Sequence, residues 1–153
     1  MSVAIQEEKF TPHIKCFAHN INLATQRGLQ VHQMSRLLGR IRHIVSFFHR
    51  STTAATLLKS KQELLQLPKH KLIQDVQTCW NSSYDMIDRF LEQQLAIVAT
   101  LLSKEIRQTD LNTLSEDDVS NAEDILKVLK PMKTITTILC DEAAPTISMI
   151  FSS

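Results

Sequence analysis

Residues that form turns and cross-links are scarce in this chain. Only two glycines and four prolines occur among its 153 residues, too few for the many tight turns of a β-sandwich or barrel. The three cysteines are odd in number and widely spaced, which argues against a disulfide framework. We expect them to be reduced thiols in or near the core. Leu, Ile, Lys, Gln and Ala are well represented, so the composition favours a mainly α protein.

Long apolar runs are also missing. No stretch approaches the roughly eighteen consecutive apolar residues that a transmembrane helix needs. The first ten residues carry Glu7 and Glu8 and have no apolar centre, unlike a signal peptide. We therefore expect an intracellular protein with no membrane partner, and the length fits a single domain.

Charge is divided unequally along the chain, although the total is only +1. Residues 1–80 hold eleven Lys or Arg and four acidic residues, a net charge of +7, together with all six histidines. Residues 81–153 hold six basic and twelve acidic residues, a net charge of −6. A basic half favours phosphate or another anion, whereas an acidic half repels DNA and attracts basic partners.

Apolar periodicity predicts helices over most of the chain. The first is expected from 17 to about 28, with Gly28 as its C-terminal cap. The second follows an apolar stripe from Val31 to Phe48. A third is capped by the Ser-Thr-Thr sequence at 51–53 and ends before Pro68.

The second half of the chain predicts two longer helices. One is capped by Asn81 or Ser82 and runs to about 107, followed by a polar loop over 108–114. The other starts at the acidic cap 115–118, and Pro131 is expected to kink or restart it. A short helix or strand is expected after 145. Short strands are predicted only at 13–16 and 72–78, and residues 1–12 are expected to be poorly ordered.

Two motifs about sixty residues apart carry a family resemblance. They are Cys-x-x-His, formed by Cys16 and His19, and the sequence Cys-Trp-Asn-Ser, which contains Cys79, Trp80 and Asn81. With matching sequence at 37–42, 49–54 and 126–131, they make the chain resemble hAT-superfamily transposases, closest to the domesticated branch with a BED-type zinc finger. That family usually has Arg where this chain has Cys79.

The resemblance implies the helical region of a split RNase H-like transposase domain. Residues 13–153 then correspond to one fragment of that domain and the start of its helical insertion. The resemblance places two catalytic Asp residues upstream of Met1 and the catalytic Glu beyond Ser153, and it places the BED finger and the dimerisation segment outside the chain too. We therefore expect a noncatalytic, nuclear protein without catalytic residues or cofactors.

The Cys16 and His19 pair has four interpretations. The two side chains share one helical face, and His13 could add a third ligand from just upstream, but a structural zinc needs four ligands. A buried thiol beside a hydrogen-bonded histidine is the structural alternative, and we expect no metal. By the resemblance, the pair lines the edge of the transposase nuclease site. A nucleophilic Cys-His dyad would lack a glycine-rich oxyanion element.

Trp80 has two interpretations. By the resemblance, the matching aromatic residue stacks on an unpaired base, which contributes about 1 to 3 kcal/mol per base. A single Trp at the start of a helix is also typical of a core anchor. Because Cys79 replaces the Arg that would contact phosphate, we favour the structural interpretation.

One face of the second predicted helix is the best candidate for anion contact. Its basic stripe combines cationic side chains with an aromatic residue expected to be exposed, and it comprises Arg36, Arg40, His43, Phe47 and Arg50. Such a face favours nucleic-acid binding. The alternative function is a helical protein-interaction module without a DNA role, which contacts its partner through the acidic half.

Overall fold

The computed structural model describes residues 19–106 and 111–143. Six helices form this part of the chain: α1 (19–29), α2 (His32–Arg50), α3 (Thr52–Leu64), α4 (Trp80–Glu92), α5 (Gln94–Leu101) and α6 (Glu116–Ala143). Neither described range contains a strand, so the predicted mainly α class is confirmed. The expectations for 1–12, for the strand at 13–16 and for the segment after 145 lie outside the described residues.

The α2 helix is the centre of the fold. Its predicted apolar stripe is confirmed from Leu38 to Phe48 but not at Val31, which is 58% exposed at the N-cap position; the buried side chains are Leu37, Leu38, Ile41, Ile44, Val45 and Phe48. α3 and α4 both pack against α2, α5 packs against α3, and α6 packs against α4. One hydrophobic core therefore connects all of these helices.

The predicted helix caps are partly confirmed. Ser51 caps α3, because its Oγ accepts a hydrogen bond from the Ala54 N–H. Gly28 does not cap α1: the helix continues to residue 29, and no described glycine has a positive φ. A left-handed C-terminal cap is found after α3. There Gln66 has a φ of 55°, and the Leu67 N–H donates to the Gln62 carbonyl.

The strand predicted at 72–78 is wrong, because this segment is part of a coil, 65–79, that joins α3 to α4. A strand needs a neighbouring strand for its backbone hydrogen bonds, and side chains make those bonds here. His49 contacts the Leu72 carbonyl at 2.9 Å, and Arg89 donates to the Lys71 carbonyl at 3.0 Å. The Ser82 hydroxyl accepts from the Val76 N–H at 2.8 Å.

The single helix predicted from 81 to about 107 is also wrong. α4 begins at Trp80, and Cys79 occupies its N-cap position without a side-chain cap bond. The helix then breaks at Gln93 (φ −100°, ψ 7°). The fully buried Gln93 amide donates to the Pro68 carbonyl and accepts from Gln62, each at 2.9 Å. These hydrogen bonds hold the coil and α3 against the point where α4 ends and α5 begins.

The cap predicted at the start of α6 is confirmed. Ser115 Oγ accepts from the Asp118 N–H, and Asp118 Oδ2 accepts from the Ser115 N–H, which forms a reciprocal capping pair. Pro131 lies inside the helix but does not restart it, because α6 continues to Ala143. Thr25 Oγ1 lies 3.9 Å from the sulfur of Met132 and connects α1 with α6.

Candidate nucleic-acid interface

The basic stripe of α2 does not form one surface. Its residues follow a ridge between two depressions, with Arg36 and Arg40 on one side and His43 and Arg50 on the other. The first depression, here called the apolar groove, lies between α1, α2 and α6. The second, here called the basic trough, lies between α2 and the coil and is lined by Gly39, Arg42, His43, Ser46, His49, Arg50 and Gln74.

The aromatic member of the stripe is not the exposed platform that the sequence predicted. Phe47 is half-buried and packs against the hydrophobic core. Its ring meets that of Phe48 edge-on, with centroids 5.5 Å apart and planes 76° apart. The expected exposure of Phe47 is therefore wrong, because packing against its neighbour covers the ring.

Arg40 is engaged in a structural contact. Its guanidinium pairs with Asp118 and donates to the Thr113 carbonyl at 2.9 Å, so it fixes the start of α6 against α2. Burial raises the pKa of the Asp118 carboxyl, but hydrogen bonds from Ser115 and the charge of Arg40 outweigh it and lower the pKa below its usual value. Arg36 lies exposed on the rim of the apolar groove.

Arg42 is a residue of the basic trough that the sequence stripe missed. Its Nε and Nη2 donate to the two carboxylate oxygens of Asp75 at 2.8 and 2.7 Å. The Asp75 side chain has no exposed surface, and Ser83 Oγ also donates to it at 2.8 Å. Burial raises the pKa of Asp75, whereas the bonds from Arg42 and Ser83 and the Arg42 charge lower it, with a net shift below the usual value.

The open side of the trough carries the remaining charge. His43, His49 and Arg50 are exposed, and Arg50 Nε also donates to the Ser46 carbonyl at 3.3 Å. A Cβ placed on Gly39 would meet no atom within 4 Å, so the trough has free space above this glycine.

A second polar stripe on α2 could have identified the trough residues that the sequence prediction missed. Arg42, Ser46 and His49 follow one another at spacings of four and three, which places them on one helical face beside the predicted stripe. Gln74 had no comparable signal. It reaches the trough through the coil, where its Oε1 accepts from Ser46 Oγ at 3.1 Å.

The Cys-Trp-Asn-Ser motif lies at the start of α4. Trp80 is only 2% exposed and belongs to the core, so its ring offers no free face for a base. Among the described side chains, the Asn81 Oδ1 atom is buried without a hydrogen-bond partner. Cys79 is an exposed free thiol, which corrects its expected position near the core. Cys16 and the side chain of Cys140 lie outside the described part.

The described residues do not assemble a metal site from the predicted ligands. His19 is exposed at the start of α1, whereas Cys16 and His13 lie outside the described ranges. Within 19–106 and 111–143, no three His, Cys, Asp or Glu side chains are close enough to hold a metal ion. In the same ranges, no helix has the length and apolar character required to cross a membrane.

The two carboxylates nearest Trp80 are both paired with cations. Asp75 pairs with Arg42, as described above. Asp85 pairs with Lys133, whose ammonium also lies 4.5 Å from the centre of the Tyr84 ring. These contacts join α2 to the coil and α4 to α6, so both acids have structural partners.

Comparison with known proteins finds a matching family and a curated relative. Residues 14–128 match the family described as the ZBED1 RNase-like helical domain. The chain is also 31% identical over 121 residues to the "Zinc finger BED domain-containing protein 4" of Homo sapiens. That match covers 78% of this chain and 10% of the relative, so the chain spans a small part of the relative's length. No solved structure matches the chain.

Proposed function

Because the chain belongs to the hAT-derived, domesticated ZBED-type proteins, we propose that it is a noncatalytic helical domain that binds nucleic-acid phosphates through the basic trough. The proposal rests on one observation: exposed His43, His49 and Arg50 line one open depression. The proposed location is the nucleus, where such a domain meets DNA or chromatin.

The charge of the trough suits phosphate contact better than base recognition. Arg50 supplies a permanent positive charge, and the rings of His43 and His49 add hydrogen-bonding nitrogens. Arg42 contributes hydrogen bonding rather than net charge, because Asp75 neutralises it while its guanidinium retains further N–H donors. Phosphate contacts of this kind provide affinity and salt dependence but little sequence information.

Gly39 allows a direct test that leaves the core unchanged. Side chains at this helical position point into open space, and Glu, Gln and Lys are each better helix formers than glycine by about 0.5–1 kcal/mol. We expect Gly39→Glu to weaken binding to duplex and single-stranded DNA about fivefold relative to Gly39→Gln, the effect of roughly 1 kcal/mol of charge repulsion. Gly39→Lys should strengthen binding by a similar factor.

The measurement is fluorescence anisotropy of labelled DNA at several salt concentrations. Gly39→Gln is the matched control, since it has nearly the same size as Glu without the charge. Equal affinities for the Glu, Gln and Lys variants would remove the trough as the binding surface. In that case the protein-interaction module becomes the better function, because the apolar groove on the other side of the α2 ridge supports it.

A further inference from the structure

The apolar groove is a second surface that the proposed nucleic-acid contact does not use. We propose that it docks one amphipathic helix of a partner protein, with basic residues along the edge of that helix that meets α6. The groove has a volume of about 670 Å³, and residues of all three surrounding helices line it. Its walls include Gly28, Met34, Leu37, Ile125, Val128 and Met132.

The length of the groove suits a helix rather than a compact ligand. The lining residues of α6 extend from Asp118 to Met132. At 1.5 Å per residue, these fourteen steps correspond to about 21 Å along the helix axis. A partner helix of about four turns has the same length.

The pattern of apolar side chains on α6 also favours a helical partner. Ile125, Val128, Met132 and Ile135 follow at spacings of three, four and three along one helical face; Ile125 and Met132 pack against the core of this chain, and Val128 and Ile135 remain exposed. Val128 is 68% exposed, and Ile135 is exposed one turn beyond Met132. Rows of side chains at such spacings pack into the grooves between side chains of another helix.

Charges on the two walls specify the chemistry of the partner. Asp124 is exposed on the α6 wall, four residues before Val128 on the same helical face, and the exposed Asp117 lies seven residues earlier, beyond the residues that line the groove. Lys127 pairs with Asp124 in the i, i+3 manner, at the solvent surface where such pairs contribute little. Arg36 is exposed on the opposite wall. A helix with Lys or Arg beside α6 and an acidic residue beside Arg36 complements both walls.

The α2 ridge separates this surface from the basic trough. The exposed charges of the groove are of both signs, Arg36 on α2 and Asp124 on α6, so the order of charges on a partner helix decides the fit and its net charge does not. The groove therefore adds a protein-binding function that does not depend on whether the trough binds nucleic acid.

Two substitutions block the groove without removing core contacts. A Cβ at Gly28 meets no atom within 4 Å, so Gly28→Phe places a ring in the groove, and Gly28→Ala is its small control. Val128→Lys adds a charge to the α6 wall. Leu102→Lys is the matched control, since Leu102 is 65% exposed at the C-cap position of α5 and does not line the groove.

The probe is a displayed library of fourteen-residue helical peptides with a fixed leucine stripe and randomised flanking positions. The full 153-residue chain is the bait, and circular dichroism and urea unfolding verify that each variant is folded. We expect selected peptides to carry Lys or Arg on one edge. Gly28→Phe and Val128→Lys should each weaken their binding about tenfold or more, whereas Gly28→Ala and Leu102→Lys should not.

Three results with the peptide library would overturn the proposal. They are selection of no peptide, selection of peptides with acidic edges, and binding that is insensitive to both blocking substitutions. A fourth is a dimer in sedimentation that Val128→Lys dissociates, since a second copy of the chain would then occupy the groove.

Discussion

Replacing Arg42 by Met is expected to destabilise the fold more than replacing Asp75 by Asn, although both changes remove the same ion pair. The Asp75 side chain has no exposed surface, so Arg42→Met leaves a buried carboxylate with the Ser83 hydroxyl as its remaining side-chain donor. Asp75→Asn leaves the guanidinium of Arg42, which is 23% exposed and can be hydrated. The two free energies of unfolding should therefore differ.

The expected magnitudes follow from that difference in burial. Removing one partner of a buried pair costs about 3–5 kcal/mol, and we expect Arg42→Met to lie in this range. For Asp75→Asn we expect about 1–3 kcal/mol, the cost of an unsatisfied hydrogen-bonding group. The double variant Arg42→Met/Asp75→Leu should recover part of the loss, because it removes both buried charges.

The pH dependence gives a second test of the same contact. In the parent, the lowered pKa of Asp75 means that its stabilising contribution is present above the unfolded pKa of about 3.9 and is lost as pH falls through the folded pKa. Without Arg42, burial is expected to raise this pKa instead. The excess destabilisation of Arg42→Met should then shrink as pH falls from neutral through the raised pKa.

Urea unfolding followed by circular dichroism measures these free energies, at neutral pH and at about pH 4.5. Arg50→Met is the control, because Arg50 is an exposed Arg on the same helix. The reasoning fails if Asp75→Asn costs as much as Arg42→Met at neutral pH. It also fails if the cost of Arg42→Met relative to the parent is the same at both pH values.

Three further predictions concern the trough, the carboxylates and the end of α3. Arg50→Gln should weaken DNA binding equally across sequences and reduce the salt slope by about one unit, and a slope equal to the parent's would contradict a phosphate contact. The chain should not cleave DNA with magnesium or manganese, since Arg42 and Lys133 pair with the acids near Trp80; metal-dependent cleavage that Asp75→Asn abolishes would disprove this. Gln66→Gly should raise the free energy of unfolding by about 1 kcal/mol, because φ is 55° there; urea titration showing no gain would exclude strain at that residue.

Local signals in the sequence predicted much of the helical framework. The stripe of α2 and the caps at Ser51 and Ser115 depend on residues within one or two turns of each other, and the structure confirms them. The break at Gln93 was not predictable in this way, since its amide bonds to Pro68 and Gln62, which are distant in sequence. Periodicity predicted one apolar stripe through 86–102 and gave no sign of that interruption.

The candidate site was predicted less completely for a related reason. The helical wheel placed Arg36, Arg40, His43 and Arg50 on one stripe, but it could not show that this stripe divides between two depressions or that Asp118 pairs with Arg40. It also omitted Arg42, because the coil residues Asp75 and Gln74, which are distant in sequence, determine that the polar face of Arg42 and Ser46 becomes a wall of the trough. A basic side chain is available for a ligand only if no acidic residue pairs with it. Those acidic residues come from other segments of the chain, and only the folded structure brings them close.

In most proteins a conformationally ordered backbone also exchanges its amide hydrogens slowly. The coil 65–79 is expected to be ordered without slow hydrogen exchange. Side chains of the surrounding helices hold it through its carbonyl oxygens at Pro68, His70, Lys71 and Leu72. A bond to a carbonyl restrains the backbone without shielding the amide hydrogen of the same residue. Residues 71–74 should therefore show high NMR order parameters on the ps–ns timescale while their amides exchange quickly with solvent.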